Sequence, residues 1–390
     1  AAVLDAHTDD GGYYALSGLQ NPQPADIVYG TTNYYKGAAV VHTLANYLTP
    51  NDFYTALQGI QATVAPAAIS SEDFRQALET ETGEDLSDFF DAWVYSPGHI
   101  DFALESYEVD GNSVTVGLQQ RVKNKPALAN GNRVPIVIYG ANGELTPERL
   151  DFDGGSGTET FNLPYEPVGV MVDPDETILG SAIRQVVTLE GGDNMTPPAS
   201  DVNLIVGNTS DTADVQVSTH YVDLGLGQLP ETVLPAERFW TLSGSTSDAF
   251  PLNELRFTYT NALLKERNLT DYPEDSTALY YRSFEPGASF RKLTAADGLT
   301  MNRFTAGDGQ GVAILDSYMP GTYVFGANTG EIVIGIEEDK STFSIAPNPA
   351  KSAVKLSFAQ PVQATIQILD ITGRAVQSVV VQQAAQAKVN

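Results

Sequence analysis

The sequence predicts an α+β protein of several domains, in which a helical array is followed by β-sheet. The first observation is a change in period, because apolar residues recur at helical spacing over residues 33–95 and alternate from about Asp101 onward. The second is length, since 390 residues are too many for one hydrophobic core. The third is a pair of interruptions, a Gly/Pro-rich stretch at 189–200 and a charged stretch at 336–342.

These interruptions give a prediction of the domain limits. We expect a helical region at 1–100, a β-sandwich at 101–188, a linker at 189–200, a second β-sandwich at 201–335, a hinge at 336–342 and a small immunoglobulin-like β domain at 343–390.

Composition excludes several classes of function. The chain has 49 acidic and 21 basic residues, a net charge of −28, and such a surface repels phosphate backbones and anionic lipids. We therefore expect no nucleic-acid or membrane partner, and no apolar run has the length of a membrane span. The chain has no cysteine, which excludes disulfides, thiolate metal sites and cysteine nucleophiles.

Four helices are predicted in the first region. The first runs from about Tyr34 to Leu48, with Asn33 as a candidate cap, because an Asn side chain can accept an orphan backbone N–H. The second begins at Thr49 and Pro50, a typical cap followed by a first-turn proline. The third is capped by Ser70 and ended by Gly83, and the fourth carries a set of aromatic and aliphatic core residues, namely Leu86, Phe89, Phe90 and Trp93.

Strands are predicted from alternation and turn signals. The clearest in the first sandwich are Ser113–Gln120, Arg133–Tyr139 and Val168–Val172, with a hairpin turn at Asn142 and Gly143. In the second sandwich the predicted strands are Val202–Val206, Val215–Val222, Arg238–Leu242, Leu255–Tyr259, Leu279–Arg282, Gly311–Leu315 and Thr322–Gly326.

The most informative motif is the segment Tyr34–Gly37, which reads YYKG and is followed by a helix of small apolar residues. It resembles the Tyr-x-Lys-Gly segment of the gluzincin aminopeptidases, the M1 family of zinc metallopeptidases. The segment Phe89–Trp93, which reads FFDAW and precedes a Pro-Gly pair, is similar to the end of the same family's catalytic domain. The resemblance covers roughly residues 25–185 and implies that the helical array is the tail of a thermolysin-like catalytic domain.

The resemblance implies a role for one residue. In that family the first Tyr of the motif donates a hydrogen bond to the oxyanion of the tetrahedral intermediate, and this role falls on Tyr34. A phenol suits the role, since it is a neutral donor at pH 7. The resemblance also implies zinc and peptide substrates for the parent enzyme.

The zinc ligands of the family are absent from the sequence. The family binds zinc through His-Glu-x-x-His and a downstream Glu. The four histidines, at positions 7, 42, 99 and 220, form no such motif, so we identify no metal or cofactor ligand. In the family the zinc helices precede the Tyr-x-Lys-Gly segment, and 33 residues precede Tyr34 here. We therefore expect a fragment whose metal half lies upstream and which is inactive by itself.

The C-terminal region carries a second resemblance. Pro347-Asn348-Pro349 precedes predicted strands at Ala353–Phe358 and Ala364–Leu369, and these are followed by the turn Asp370–Arg374. The combination resembles the type A sorting domain of type IX secretion in Bacteroidetes-type bacteria. It implies export through the periplasm to the cell surface or the medium, with the type IX machinery as a partner. Such domains usually have more strands, so we expect a truncated domain.

Three interpretations of the function remain open on the sequence. The first is the C-terminal portion of a secreted M1-like zinc aminopeptidase. The second is a non-enzymatic, β-rich secreted or cell-surface protein for binding or adhesion. The third is a degenerate homologue without metal.

Overall fold

The computed structural model describes residues 32–64, 69–225, 228–230, 232–244, 250–265, 269, 272–305, 307–329, 343–346, 354–369 and 375–389. The predicted hinge at 336–342, the Pro-Asn-Pro segment at 347–349 and the turn at 370–374 lie outside these residues. Within them the chain is α+β, as predicted, with helices before residue 95 and mainly strands after it.

The helices follow the predicted order. A π-helical turn at Thr32–Lys36 leads into α1 (Gly37–Leu48), α2 (Pro50–Val64), α3 (Ser71–Thr82) and α4 (Ser87–Trp93), and a short α5 (Asn261–Lys265) lies much later. Ser70 caps α3 as predicted, since its hydroxyl accepts the N–H of Asp73 and the Asp73 carboxylate accepts the N–H of Ser70. Gly83 ends α3 in the left-handed conformation, with φ 77°.

Of two predicted helix starts, one differs from the structure and the other is confirmed with an unusual backbone conformation. The π-helical turn begins at Thr32, so Asn33 lies inside the turn and not at its cap. Thr49 does cap α2 through a side-chain exchange with Asp52, but its backbone has a positive φ of 73°, which is rare for a β-branched residue. The turn between α1 and α2 is a single residue, and this short connection places Thr49 in that conformation.

The first β region consists of two three-stranded sheets. Their strands are β1 (His99–Asp110), β2 (Ser113–Lys123), β3 (Asn132–Gly140), β4 (Leu145–Phe152), β5 (Ser156–Asn162) and β6 (Pro167–Val172), in the orders β1-β2-β5 and β4-β3-β6. All pairings are antiparallel, and Gly143 makes the predicted turn between β3 and β4 with φ 85°. Both sheets share one hydrophobic cluster with the helices, to which Leu44, Phe89 and Ile136 belong.

The second β region consists of a six-stranded and a five-stranded sheet. Their strands are β7 (Ala182–Leu189), β8 (Asn194–Met195), β9 (Val202–Val206), β10 (Ala213–His220), β11 (Val233–Gly244), β12 (Leu252–Tyr259), β13 (Thr277–Arg282), β14 (Arg291–Lys292), β15 (Leu299–Arg303), β16 (Gly311–Leu315) and β17 (Gly321–Asn328). The sheet orders are β14-β13-β17-β11-β10-β7 and β15-β16-β12-β9-β8. Trp240, Phe257 and Phe325 lie in the core that these sheets share.

The sheets cross the limits that the sequence indicates. All but the last residue of β7 falls within 101–188, yet β7 pairs along its whole length with β10 of the second region. β8 falls within the predicted linker at 189–200 and pairs with β9, so this stretch is not free of strands. Alternation predicts that a strand exists but not which strand it pairs with. The domain limits therefore remain an interpretation of the sequence.

The C-terminal strands are β18 (Phe343–Ala346), β19 (Val354–Leu369) and β20 (Ala375–Val389), which form a sheet in that order. The two strands predicted at 353–358 and 364–369 are one continuous strand of 16 residues. Its pairing with β20 shifts register between Ser357 and Val362, which is where the sequence pattern breaks around Pro361.

The six-stranded sheet is covered on both faces. Successive residues of a strand point to opposite faces. Trp240 of β11 therefore lies in the core of the second region, while its neighbour Phe239 lies in a separate cluster with Ala103 of β1, Tyr280 and Val324. We call this contact between β1 and the six-stranded sheet the seam.

Candidate functional site

Tyr34 lies at the start of the first helical segment and its side chain faces outward. It is 56% exposed and its neighbour Tyr35 is 51% exposed, whereas Lys36 is 3% exposed. Residues two apart in a helical turn lie on roughly opposite sides, so the burial of Lys36 turns Tyr34 away from the core. The motif therefore presents two phenols to the outside and one alkyl-ammonium side chain to the inside.

The outward face of α1 continues this apolar character. Val41 is 48% exposed and His42 is exposed beside it, one to two turns beyond Tyr34. The opposite face carries Val40 and Leu44, which lie in the core shared with the first β region. Single exposed apolar residues are common on protein surfaces, so Val41 alone does not define a binding surface.

Lys36 lines a small closed space behind the motif. The cavity has a volume of about 10 Å³, and Trp93, His99 and Leu179 contribute to its walls. Such a volume is about that of one water molecule and is too small for a substrate side chain. This cavity is therefore not a substrate pocket.

Several hydrogen bonds fix α1 on the first β region. The Arg133 guanidinium donates to the carbonyl of Tyr47 at 2.8 Å, and the backbone N–H of Leu179 donates to the Thr43 hydroxyl at 3.2 Å. Burial raises the pKa of Tyr47 to about 12, although hydrogen bonds with Arg133 and Trp93 and the charge of Arg133 oppose that change. The helix that carries Tyr34 thus has a fixed position relative to the sheets.

The aromatic residues of α4 belong to the core, as predicted. Phe89, Phe90 and Trp93 are each at most 5% exposed, and the rings of Phe89 and Trp93 stack with centroids 5.9 Å apart. Phe89 also meets the ring of Tyr47 edge-on at 4.9 Å. These residues support α1 from behind and do not reach the exposed face.

Two separate segments of the chain match the sequence models of known protein families. Residues 5–93 match the sequence model of the Peptidase family M1 domain. This part of the chain is M1-like.

Residues 344–390 match the Secretion system C-terminal sorting domain, which marks the protein as secreted or associated with the cell surface. No helix among the described residues is long and apolar enough to cross a membrane. A comparison with curated protein sequences finds no match.

One solved structure that resembles the chain is Legionella pneumophila aminopeptidase A in complex with aspartic acid. The identity is 14%, the TM-score is 0.31, and the match covers 44% of this chain and 21% of that one. The chain thus spans about a fifth of the length of that aminopeptidase.

The M1-like match and the sequence-based resemblance agree on the segment that contains Tyr34. The match begins at residue 5 and ends at Trp93, so helices α1 to α4 lie inside it and the β region from Asp101 onward lies beyond it.

The zinc of the M1 family finds no site among the described residues. Among the residues that the structure describes, no group of three His, Asp or Glu side chains is arranged to hold a metal ion. His42 is exposed on α1, while His99 and His220 are buried in β1 and β10. The described residues therefore do not fit a zinc site.

Sequence reasoning missed a group of buried charged residues at the seam. Asp101, Arg184 and His220 are each at most 3% exposed, and they are far apart in the sequence. Arg184 and His220 lie on the faces of β7 and β10 opposite the core residues Leu189 and Val217. Alternation predicts polar, solvent-exposed side chains on that face, so the sequence carries no signal that β1 covers it.

Proposed function

We propose that the chain is the C-terminal portion of a secreted M1-like zinc aminopeptidase that hydrolyses peptides, and that Tyr34 is its catalytic residue in this region. The observation that carries the proposal is the M1 match over residues 5–93 together with the outward position of Tyr34 on a firmly anchored helix. The C-terminal match supports export with the type IX secretion machinery as a partner.

The position of Tyr34 suits a donor to developing charge. Stabilising an oxyanion requires a hydrogen-bond donor that is already aimed when the charge forms. The burial of Lys36 and the contacts of α1 with the β region hold the turn in place, so the phenol needs little reorganisation. A phenol is a neutral donor at pH 7, and it can therefore meet a substrate carbonyl without prior loss of a proton.

The division of the chain into domains belongs to the same proposal. The helical array at 1–100 would be the tail of a thermolysin-like catalytic domain, followed by two β-sandwiches at 101–188 and 201–335 with a linker at 189–200 between them. A hinge at 336–342 would separate them from the sorting domain at 343–390. The separate hydrophobic clusters of the first and second β regions support this division.

We propose further that this chain alone does not hydrolyse peptides. The sequence has no His-Glu-x-x-His motif, and Tyr34 can only stabilise charge that another group creates. A serine mechanism lacks support as well, because no Gly-x-Ser-x-Gly elbow occurs.

The proposal is tested by comparing this chain with a longer parent protein that contains it. Zinc content is measured by metal analysis, and hydrolysis of aminoacyl-nitroanilides is measured with and without a chelator. We expect stoichiometric zinc and chelator-sensitive hydrolysis in the parent, and neither in the chain. A parent that neither binds zinc nor cleaves these substrates would favour a metal-free homologue or a binding protein. Chelator-sensitive hydrolysis by the chain alone would show that its inactivity is wrong.

A further inference from the structure

The seam between β1 and the six-stranded sheet contains a buried network centred on a histidine. The ring Nδ1 of His220 lies 2.8 Å from Oδ2 of Asp101, and its Nε2 lies 2.9 Å from the hydroxyl of Thr241. These residues come from β10, β1 and β11, and each is at most 5% exposed. The network therefore joins the first β region to the second through side chains that water does not reach.

Three arginines and two further carboxylates complete the network. Arg184 of β7 lies 3.6 Å from Asp101 and 3.8 Å from Asp173, and it donates to the carbonyl of Phe102 at 2.6 Å. Arg121 of β2 donates to the carbonyl of Leu224, and Arg282 of β13 pairs with Glu105 of β1 at the same seam. The groups whose charges act on His220 are Asp101, Arg184 and Arg121.

The charges that act on His220 already include one more positive than negative. Asp101 contributes one negative charge, and Arg184 and Arg121 contribute two positive charges. A proton on His220 would add one positive charge without a counter-ion in a region closed to water. An uncompensated buried charge is strongly unfavourable.

The hydrogen bonds define the tautomer of the neutral ring. Oδ2 of an ionised Asp101 can only accept, so the Nδ1 of His220 must carry a proton and donate. In the neutral ring Nε2 is then a bare acceptor, which the hydroxyl of Thr241 satisfies as donor. The ring also stacks on Phe239 with the ring centroids 4.3 Å apart. Burying an uncharged imidazole there costs less solvation than burying an imidazolium. Each contact suits the neutral ring.

The pKa of His220 moves in the direction that this arrangement requires. Burial lowers it, the neighbouring Asp101 opposes that change, and Arg184 and Arg121 lower it further, so that the net pKa is below the usual value. Burial alone would raise the pKa of Asp101, but His220, Arg184 and Arg121 bring it below its usual range. Asp101 therefore stays ionised under the mildly acidic conditions that favour protonation of His220.

We propose that the seam is an acid-sensitive junction, which holds the two β regions together while His220 is neutral and loosens when His220 is protonated. An unfolded His has a pKa of about 6.5. Because the folded pKa is lower, the contribution to stability is complete above about pH 6.5 and is lost progressively as the pH falls below it. Because one proton is taken up, the equilibrium constant between the closed and the open seam falls by up to about tenfold for each pH unit in that range.

Two backbone hydrogen bonds report on the seam directly. The N–H of Tyr107 in β1 donates to the carbonyl of Phe284 at 2.9 Å, and the N–H of Ser181 donates to the carbonyl of Ile100 at 2.9 Å. Opening of the seam breaks both bonds and exposes both amides to exchange. Their protection factors, corrected for the intrinsic effect of pH on exchange, measure the closing equilibrium.

The test measures these protection factors in the full chain between pH 7 and pH 5. In the native chain we expect them to fall by up to about tenfold per pH unit below about 6.5. In His220→Gln, whose amide can both donate and accept but cannot titrate, we expect no such fall. His42→Gln, which removes an exposed histidine from α1, is the matched control and should behave like the native chain. Equal pH dependence in His220→Gln and the native chain would overturn the proposal.

A second measurement keeps the test decisive if His220→Gln does not fold. The ring nitrogens of His220 are followed by NMR in the native chain, which has only four histidines. We expect the Nδ1–H tautomer and a neutral ring at pH 6.5, with protonation accompanying the loss of protection at Tyr107. A ring that is already protonated at pH 7, or a fully protonated ring with an intact seam, would overturn the proposal.

Discussion

Replacing Asp101 with Asn tests how strongly the buried charges of the seam hold the structure. Asn has the same shape and retains an oxygen that can accept from the Nδ1–H of His220, so the substitution removes charge and little else. The side chain of Asp101 is fully buried, and Arg184 and Arg121 act on it. Removing one member of a buried ion pair typically costs about 3–5 kcal/mol. We expect Asp101→Asn to lower the free energy of unfolding by an amount in that range.

The matched control is Asp151→Asn on β4. It removes the same charge from an ion pair with Arg149 at 2.7 Å, in which the side chains are 45% and 50% exposed. Exposed pairs contribute about 0–1 kcal/mol, so this variant should unfold almost like the native chain.

Urea unfolding followed by tryptophan fluorescence measures both variants. The two tryptophans report on both sides of the seam, because Trp93 lies in the first core and Trp240 in the second. A loss in Asp101→Asn as small as that in Asp151→Asn would refute the reasoning, because the buried charges would then contribute no more than exposed ones.

Two further predictions concern a helix end and the C-terminal region. Gly83→Ala should lower stability by about 1–2 kcal/mol in urea unfolding, because φ is 77° there and a Cβ disfavours this conformation, while Gly83→Asn should cost less. An equal cost for Ala and Asn would contradict this explanation. Deleting residues 343–390 in a longer parent should block export, with the protein retained in the periplasm, because these residues contain the sorting-domain match. Unchanged appearance of the deletion variant at the cell surface or in the medium would show that the region is not an address.

Local features of the fold could be predicted from the sequence. The cap at Ser70, the helix end at Gly83 and the hairpin turn at Gly143 all follow from the chemistry of single residues and their immediate neighbours. The strand Val202–Val206 has the same limits in the sequence analysis and in the structure, because its alternation is complete within five residues.

Pairing between distant segments could not be predicted. β7 has a strand pattern, but nothing in its sequence says that it joins β10 of the second region. The contact between Asp101 and His220 spans 119 positions and arises only because β1 lies on the outer face of the six-stranded sheet. The interruption at Pro361 indicated two strands, whereas a register shift lets one strand continue.

The candidate site was predictable in its identity but not in its surroundings. The motif at Tyr34–Gly37 singles out Tyr34 by resemblance to a family. The sequence does not show that Tyr34 faces outward while Lys36 is buried, because this depends on how the π-helical turn packs beside Trp93 and His99. Whether Tyr34 acts in catalysis remains a prediction.

The kinetics of Tyr34→Phe in a longer parent test the proposed role of this residue most directly. Tyr35→Phe is the matched control, because Tyr35 is the adjacent residue and is similarly exposed, at 51% against 56%. We expect Tyr34→Phe to lower kcat about a hundredfold or more with little change in KM, as for loss of one oxyanion donor, and Tyr35→Phe to leave kcat nearly intact. Normal turnover in Tyr34→Phe, or an equal loss in both variants, would contradict a catalytic role for Tyr34.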